Sequence, residues 1–174
     1  EPDDDALLAR LAPFGFKDND GLIRMQLRLP SERSFKAPAG CAVVYDALDD
    51  PQEQKYFLER YNRLFNTEHD LAWLKEYIDR RDFVRILTVA PTGMAGEVLV
   101  WREGYSGVIG FIQTAKRWRR LGVASYMLAL ACDRFEQQNL YCAEANIRAR
   151  MGRVGFEQSE LLMRYPGIDI NPGQ

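Results

Sequence analysis

"IQTAKRWRRLGVASYML", Ile112 to Leu128, is the stretch on which the fold turns. It ends a β-branched run, passes through four cations and Trp118, crosses Gly122 and continues as an apolar helix. A strand that hands over to a helix in this way brings successive peptide N–H groups, and the positive end of the helix dipole, to one spot. Gly122 lets the backbone approach an anion closely. Ala124 keeps the same side open, Ser125 offers a hydroxyl, and Lys116, Arg117, Arg119 and Arg120 surround the turn with charge. The order of these parts fits a diphosphate. No G-x-x-x-x-G-K-[ST] occurs, and the strand enters from a meander rather than a βαβ unit, so neither the Walker loop nor the dinucleotide fingerprint applies. "KRWRR" also reads as a nucleic-acid patch, but such a patch needs neither the Gly-x-Ala nor the helix start.

Working outward, "FVRILTVA", "AGEVLVW" and "GVIGFIQT" are three strands joined by the turns "PTG" and "REGYSG", an antiparallel meander. Before them lies the strand "CAVVYDA". Two helices follow it: one opens at Asp50-Pro51 with Phe57, Tyr61, Leu64 and Phe65 at helical spacing, the other spans 69–81 with Leu71, Leu74 and Ile78 on one face. After the turn, the helix "VASYMLALACDRFEQQ" directs Val123, Met127, Leu130 and Ala131 or Cys132 inward. "LYCAEA" is a strand, "NIRARMGRVGF" a short helix or turn, and "SELLMRYP" the last strand. This order predicts an α/β mixed sheet with helices on both faces.

The 174 residues, 47% apolar and 28% charged, describe one globular domain with a proper core. A net charge of −2 gives no global attraction to nucleic acid, so any anion site is local. No apolar run approaches the roughly 20 residues that span a bilayer. The chain begins at Glu1 rather than Met, as expected of a fragment or a processed product. Cys41, Cys132 and Cys142 have no motif spacing, and their odd number argues against a disulfide framework and for a reducing, cytoplasmic setting. His69 is the only histidine, which excludes His-rich metal sites and disfavours a Ser-His-Asp triad. No metal is expected.

"ARLAPFGFKDNDGLIRM" (9–25) matches "ARMGRVGFEQSELLMRY" (149–165) without a gap at six positions: Ala9/Ala149, Arg10/Arg150, Gly15/Gly155, Phe16/Phe156, Leu22/Leu162 and Arg24/Arg164. Residues 1–28 therefore look like the tail of an earlier copy of the same fold. The plainer alternative is an N-terminal strand with a coincidental pattern. "LPSERSFKAPAG" then starts a linker over 29–38, and 39–174 is the domain.

From about Ala39 to Pro166 the chain resembles the GNAT superfamily of N-acetyltransferases. The resemblance rests on the R-x-x-G-x-A of Arg119, Gly122 and Ala124 at the head of the central helix. The Asn146-x-x-Ala149…Gly155-Phe156 ending and the order of elements support it. The repeated tail points to a tandem-GNAT chain of the mycothiol-synthase kind. The resemblance implies acetyl-CoA as cofactor, held in a cleft where two parallel strands splay. The pantetheine arm would bond to the backbone of Ile112 and Thr114. The diphosphate would sit on the amides of Arg120, Leu121, Gly122, Val123 and Ala124, with Arg119 and Ser125 adding contacts and Asn146 facing from the other strand. It also implies a small-molecule amine or peptide acceptor, walled by Tyr56, Phe57, Tyr61, Phe65 and Trp73, and allows an oligomer.

The family's usual tyrosine acid falls on Met151, which donates no proton, so Tyr126 and Tyr141 stand as substitutes. Glu97, with Glu103 behind it, is the candidate base; the competing reading for both is a solvated strand edge. Gln113 can orient water but is no useful base. Met151 also motivates a rival function, a non-catalytic acyl-CoA-binding or regulatory module.

Overall fold

A computed structural model describes the backbone of residues 17–31, 35–146, 157–165 and 168–170, and the side chains of 27–31 and 35–145. The elements are β1 (Lys17–Arg28), β2 (Ala42–Asp46), α1 (Pro51–Phe65), α2 (Leu71–Ile78), β3 (Val84–Ala90) and β4 (Gly93–Glu103). They continue with β5 (Ser106–Thr114), a 3-10 turn (Lys116–Trp118), α3 (Val123–Gln137), β6 (Cys142–Asn146), β7 (Glu157–Tyr165) and β8 (Ile168–Ile170). One sheet takes them in the order β2-β3-β4-β5-β6-β1-β7-β8. The meander β2 to β5 is antiparallel throughout, and among the described strands β5 and β6, bridged by α3, are the parallel pair. This is the α/β mixed sheet that the sequence predicts. The "NIRARMGRVGF" segment, with Met151, lies outside the described residues.

Both faces of the meander are covered, which is why β4 reads as a nearly continuous apolar run. Val98 and Val100 turn toward α3, where Val123, Met127, Leu128, Ala131, Cys132 and Phe135 meet them. Leu99 and Trp101 turn the other way, against Phe57 of α1 and Leu74 of α2. Glycine sets the approach of α3: a Cβ on Gly96 would come within 2.6 Å of Met127 Cε and 2.9 Å of Val123 Cγ1. Leu130, expected inward, is half-buried, and Leu128 and Phe135 fill that face.

Side-chain caps fix the first two helices. Asp50 Oδ1 accepts from the N–H groups of Gln52 (2.8 Å) and Glu53 (3.0 Å), with Pro51 at the first helical position. Asp70 Oδ1 accepts from Trp73 N–H at 3.0 Å, so α2 starts after His69 and is shorter than the 69–81 its spacing predicts.

β1 departs most from simple expectation. It pairs antiparallel with β6 on one side (Arg24↔Asn146 to Arg28↔Cys142) and with β7 on the other (Lys17↔Arg164 to Gln26↔Glu157). Leu27 and Leu29 join the α3-side core, and Leu29 N–H donates to Tyr141 O at 2.8 Å. The stretch read as a linker is thus fastened to the domain at its first residue.

Beneath α1 lies a buried ion network. Arg85, the second residue of β3 and 2% exposed, donates to Asp46 through Nε (2.9 Å) and Nη2 (2.7 Å) and to Glu53 at 3.1 Å. Glu97, with no exposed surface, accepts from Arg60 Nη2 on both oxygens, at 2.8 and 3.0 Å, and lies 3.8 Å from Arg85. Burial pushes the Glu97 carboxyl above the usual carboxylate range, against the pull of Arg60 and Arg85. Removing one member leaves buried charge uncompensated. Arg85→Met should lower the unfolding free energy by about 3 kcal/mol in a urea titration; a loss under about 1 kcal/mol would mean that its partners find water instead.

Candidate active site

The site begins where two strands part. Among the described residues β5 and β6 pair over four positions, from Ser106↔Cys142 to Ile109↔Ala145. At that point β5 carries an extra residue: Leu99 pairs Phe111 and Val100 pairs Ile109, leaving Gly110 as a bulge. A bulge bends its strand and strengthens the local twist. Beyond it, 111–114 stay on β4, up to Gly96↔Thr114, with no strand on the other edge among the described residues. Ala115 N–H bonds to Ala95 O at 2.8 Å, so position 115 faces β4, and position 113 with it. Ile112 and Thr114 alternate with these and direct their N–H and C=O groups into the opening. Asn146 ends β6 one residue past its last pair with β5.

This open edge leads into the glycine turn. Trp118 N–H bonds to Ala115 O (2.8 Å), Arg117 Nη2 reaches Thr92 O (2.6 Å), and Arg119 Nε lies 3.4 Å from Thr114 O. Arg120 (φ 65) and Gly122 (φ 83) are left-handed and turn the chain into α3. Unlike α1 and α2, α3 has no side-chain cap, and its first backbone bond runs from Tyr126 N–H to Gly122 O at 2.9 Å. Amides N-terminal to that bond have no intrahelical acceptor. Val123 anchors the turn in the core, while Arg119, Arg120, Leu121, Gly122 and Ala124 are exposed and Ser125 is half-buried. A Cβ built on Gly122 meets nothing within 4 Å. An open, uncapped, cation-flanked helix start fits a diphosphate.

On the α1/α2 side of the same strands, rings line a water-sized space of about 20 Å³. Phe57, Tyr61, Trp73, Tyr77, Trp101 and Phe111 line it with Leu74, Leu99 and Gly110. Tyr61 lies 4.7 Å from Trp73 and 5.5 Å from Phe111 between ring centres; His69 stacks on Trp73 at 4.1 Å and 6°. Gly110 is required because Trp101 packs where its Cβ would be. Burial raises the Tyr61 and Tyr77 hydroxyls above the ordinary tyrosine value, so both stay neutral. Of the expected wall, Phe57, Tyr61 and Trp73 line the space; Tyr56 and Phe65 are exposed.

The three acid/base candidates are not brought together. Glu97 is on the pocket side but sealed against Arg60, which replaces the solvated-edge alternative with a buried pair. Tyr126 lies near enough to Tyr45 of β2 to raise that hydroxyl, although burial is the larger cause. β2 is three strands from β5, so Tyr126 is turned away from the opening. Tyr141 is 68% exposed and next to Tyr105, at the closed end of the β5–β6 pair. Glu103 bonds to Arg80 and Trp101 at the outer end of β4. Sequence reasoning missed Arg60 and Arg85, although charges inside "FVRIL" and "GEVLV" were a readable signal. It also missed Tyr77, Trp101, Gly110 and Phe111, which only strand register brings together.

No family model matches the chain, and no curated protein matches it. Solved structures do. A GCN5-related N-acetyltransferase from Sphaerobacter thermophilus aligns at TM-score 0.65 and 16% identity, over 89% of this chain and 53% of that one. A tandem GNAT protein from the clavulanic acid biosynthesis pathway aligns at 0.60 and 13%, over 91% and 56%. An aminoglycoside N-acetyltransferase in complex with CoA aligns at 0.57 and 12%, over 72% and 93%. The chain has the GNAT fold. It spans little more than half the length of the first two structures. In this GNAT fold, the open edge of β5 and the uncapped α3 start converge, and the ring-lined space shares Gly110 with them. Among the described residues no helix is long and apolar enough to cross a membrane, and no group of three His, Cys, Asp or Glu could hold a metal ion.

Gly110→Ala should drive the Trp101 ring out of its place, costing about 1–3 kcal/mol and shifting the tryptophan emission. Unchanged emission and stability would mean that Trp101 does not rest on the bulge.

Proposed function

We propose that the chain is an acetyl-CoA-dependent N-acyltransferase acting on a primary amine of a small molecule or peptide. The observation that carries this reading is one continuous line of open backbone. The Ile112 and Thr114 groups face the gap beyond Ile109↔Ala145 and lead to the uncapped amides at Gly122. A strand edge that pairs with a pantetheine arm and ends at a positive helix start is a receptor for a thioester carried on a diphosphate. Arg119 and Arg120 add charge, Ser125 a hydroxyl, and Asn146 flanks the gap from β6.

Acetyl-CoA supplies an activated acyl group whose thiolate leaves readily. The protein's work is to hold the acceptor amine beside Gly110, away from bulk water, so that nitrogen attacks the thioester carbonyl. A C–N bond forms as the C–S bond breaks, and the proton lost by nitrogen is balanced by the one gained by sulphur. Burial of the pocket rings favours the neutral amine that attacks. Glu97 is held by Arg60, Tyr126 stands near Tyr45 of β2, and Tyr141 lies at the closed end of the β5–β6 pair. That placement, with Met151 in the acid position, favours a second reading: a module that binds acyl-CoA without turning it over.

We further propose that residues 1–28 are the end of a preceding GNAT copy, joined by 29–38 to the domain at 39–174. The repeat spacing makes Lys17–Arg28 equivalent to the segment that contains β7, and the two strands pair antiparallel with each other. Equivalent strands paired in this way lie about an approximate two-fold axis, as expected of two copies of one fold side by side.

Calorimetry should detect CoA binding by the wild type and a loss of at least about tenfold in Gly122→Val, whose side chain projects into the anion space from a left-handed position. No CoA binding by the wild type overturns both readings. Thiol release from acetyl-CoA with an amine panel separates them: release supports the enzyme, and tight CoA binding with silence across the panel supports the binding module.

A further inference from the structure

Resting on the acyl-transfer reading, we infer that Lys116 and Arg117 bind a phosphate monoester at the adenosine end of the cofactor, and so select CoA over its 3′-dephospho form. The first ground is charge that nothing nearby on the protein balances. Lys116, Arg117, Arg119 and Arg120 are all exposed. None of them forms an ion pair among the described residues, whereas Arg60, Arg80, Arg81 and Arg85 each have a carboxylate partner. No Asp or Glu occurs between Glu103 and Asp133, and the Pro91-Thr92 turn between β3 and β4 is uncharged. A diphosphate joining two alcohols carries one negative charge on each phosphorus, so it offsets only part of this cluster. A phosphate monoester adds nearly two more at pH 7. The four cations therefore match a ligand that bears both groups.

The second ground is position. The open edge of β5 ends at Thr114, whose carbonyl oxygen lies 3.4 Å from Arg119 Nε. From there the chain leads to α3, whose Val123 and Met127 rest on Gly96, so the helix starts over β4 and not over the gap. Arg117 stands one step farther out. Its Nη2 donates to Thr92 O at 2.6 Å, in the turn that precedes β4, and lies 3.9 Å from where a Cβ on Gly93 would be. From the gap outward the order is thus Arg119, the α3 start and Arg117. An acyl-CoA has its parts in the same order: pantetheine arm, diphosphate, then adenosine with its 3′-phosphate. The third ground is the donors. A guanidinium has five N–H groups, and the Thr92 bond holds Arg117 in place while using one of them. A fixed fork beside the adaptable ammonium of Lys116 suits the outer oxygens of a monoester.

The test is calorimetry on the full chain with CoA and 3′-dephospho-CoA, two probes that share the pantetheine arm and the diphosphate. The wild type should bind CoA at least about tenfold more tightly than the dephospho form. Added NaCl should shrink that preference, because exposed charges are screened. The double variant Lys116→Gln/Arg117→Gln should bring CoA down to the affinity of the dephospho form. Its affinity for the dephospho form itself should stay within about twofold of wild type, which also shows that the variant folds. Arg117→Lys, which keeps the charge, should retain most of the preference. Equal affinity of the wild type for both probes, or a preference that survives the double substitution, overturns the inference and leaves the acyltransferase reading standing. Loss of both probes alike in Lys116→Gln, at an exposed position, would mean a general field in place of a site and also overturns it. Binding of neither probe by the wild type removes the acyltransferase reading itself, and the inference with it.

Discussion

A parallel strand pair that spans four positions among the described residues governs this molecule. Backbone N–H and C=O groups inside a protein must find partners, and β5 carries its own well past the last pair with β6. β4 satisfies one edge. Among the described residues no strand covers the other edge, which borders the gap. The extra residue at Gly110 opens that gap, and it is a glycine because the Trp101 ring occupies the space of a side chain. The binding edge, the turn that follows it and the floor of the aromatic space all descend from this one break in pairing.

The two faces of the sheet divide the labour. On the α3 side, Gly96 and Gly107 remove side chains from under Met127, Val123 and Phe135, so the helix lies close and its first turn is held at the mouth of the gap. On the α1/α2 side the contacts are rings and a buried ion network instead. That network joins β2, β3 and β4 to α1 and so fixes the helix that presents Phe57 and Tyr61. Its worth lies in geometry more than in net stability, since desolvation offsets much of the attraction between buried charges.

Much of the fold was legible. Asp50-Pro51 and Asp70 announce helix starts through cap chemistry, and the meander follows from strand runs broken by short turns, both of which are local signals. The turn at Gly122 was legible for the same reason, since its conformation and its missing cap are written within a few residues. The insertion of β1 between β6 and β7 was not, because pairing partners more than 100 residues apart leave no local mark. Tyr126 and Tyr141 stand close in sequence to the turn and to β6, but helix phase and strand direction carry one toward β2 and the other to the closed end. Glu97 was found, but its partners Arg60 and Arg85 come from other elements and decide what it can do.

The most direct test of this account is a map of backbone amide shifts as coenzyme A is titrated into the protein. The account predicts that the largest changes fall on Gly122 to Ser125 and on Ile112 and Thr114, with Tyr141 and the β2 amides still. Shifts confined to the far end of the sheet, or none at saturating coenzyme A, would contradict it.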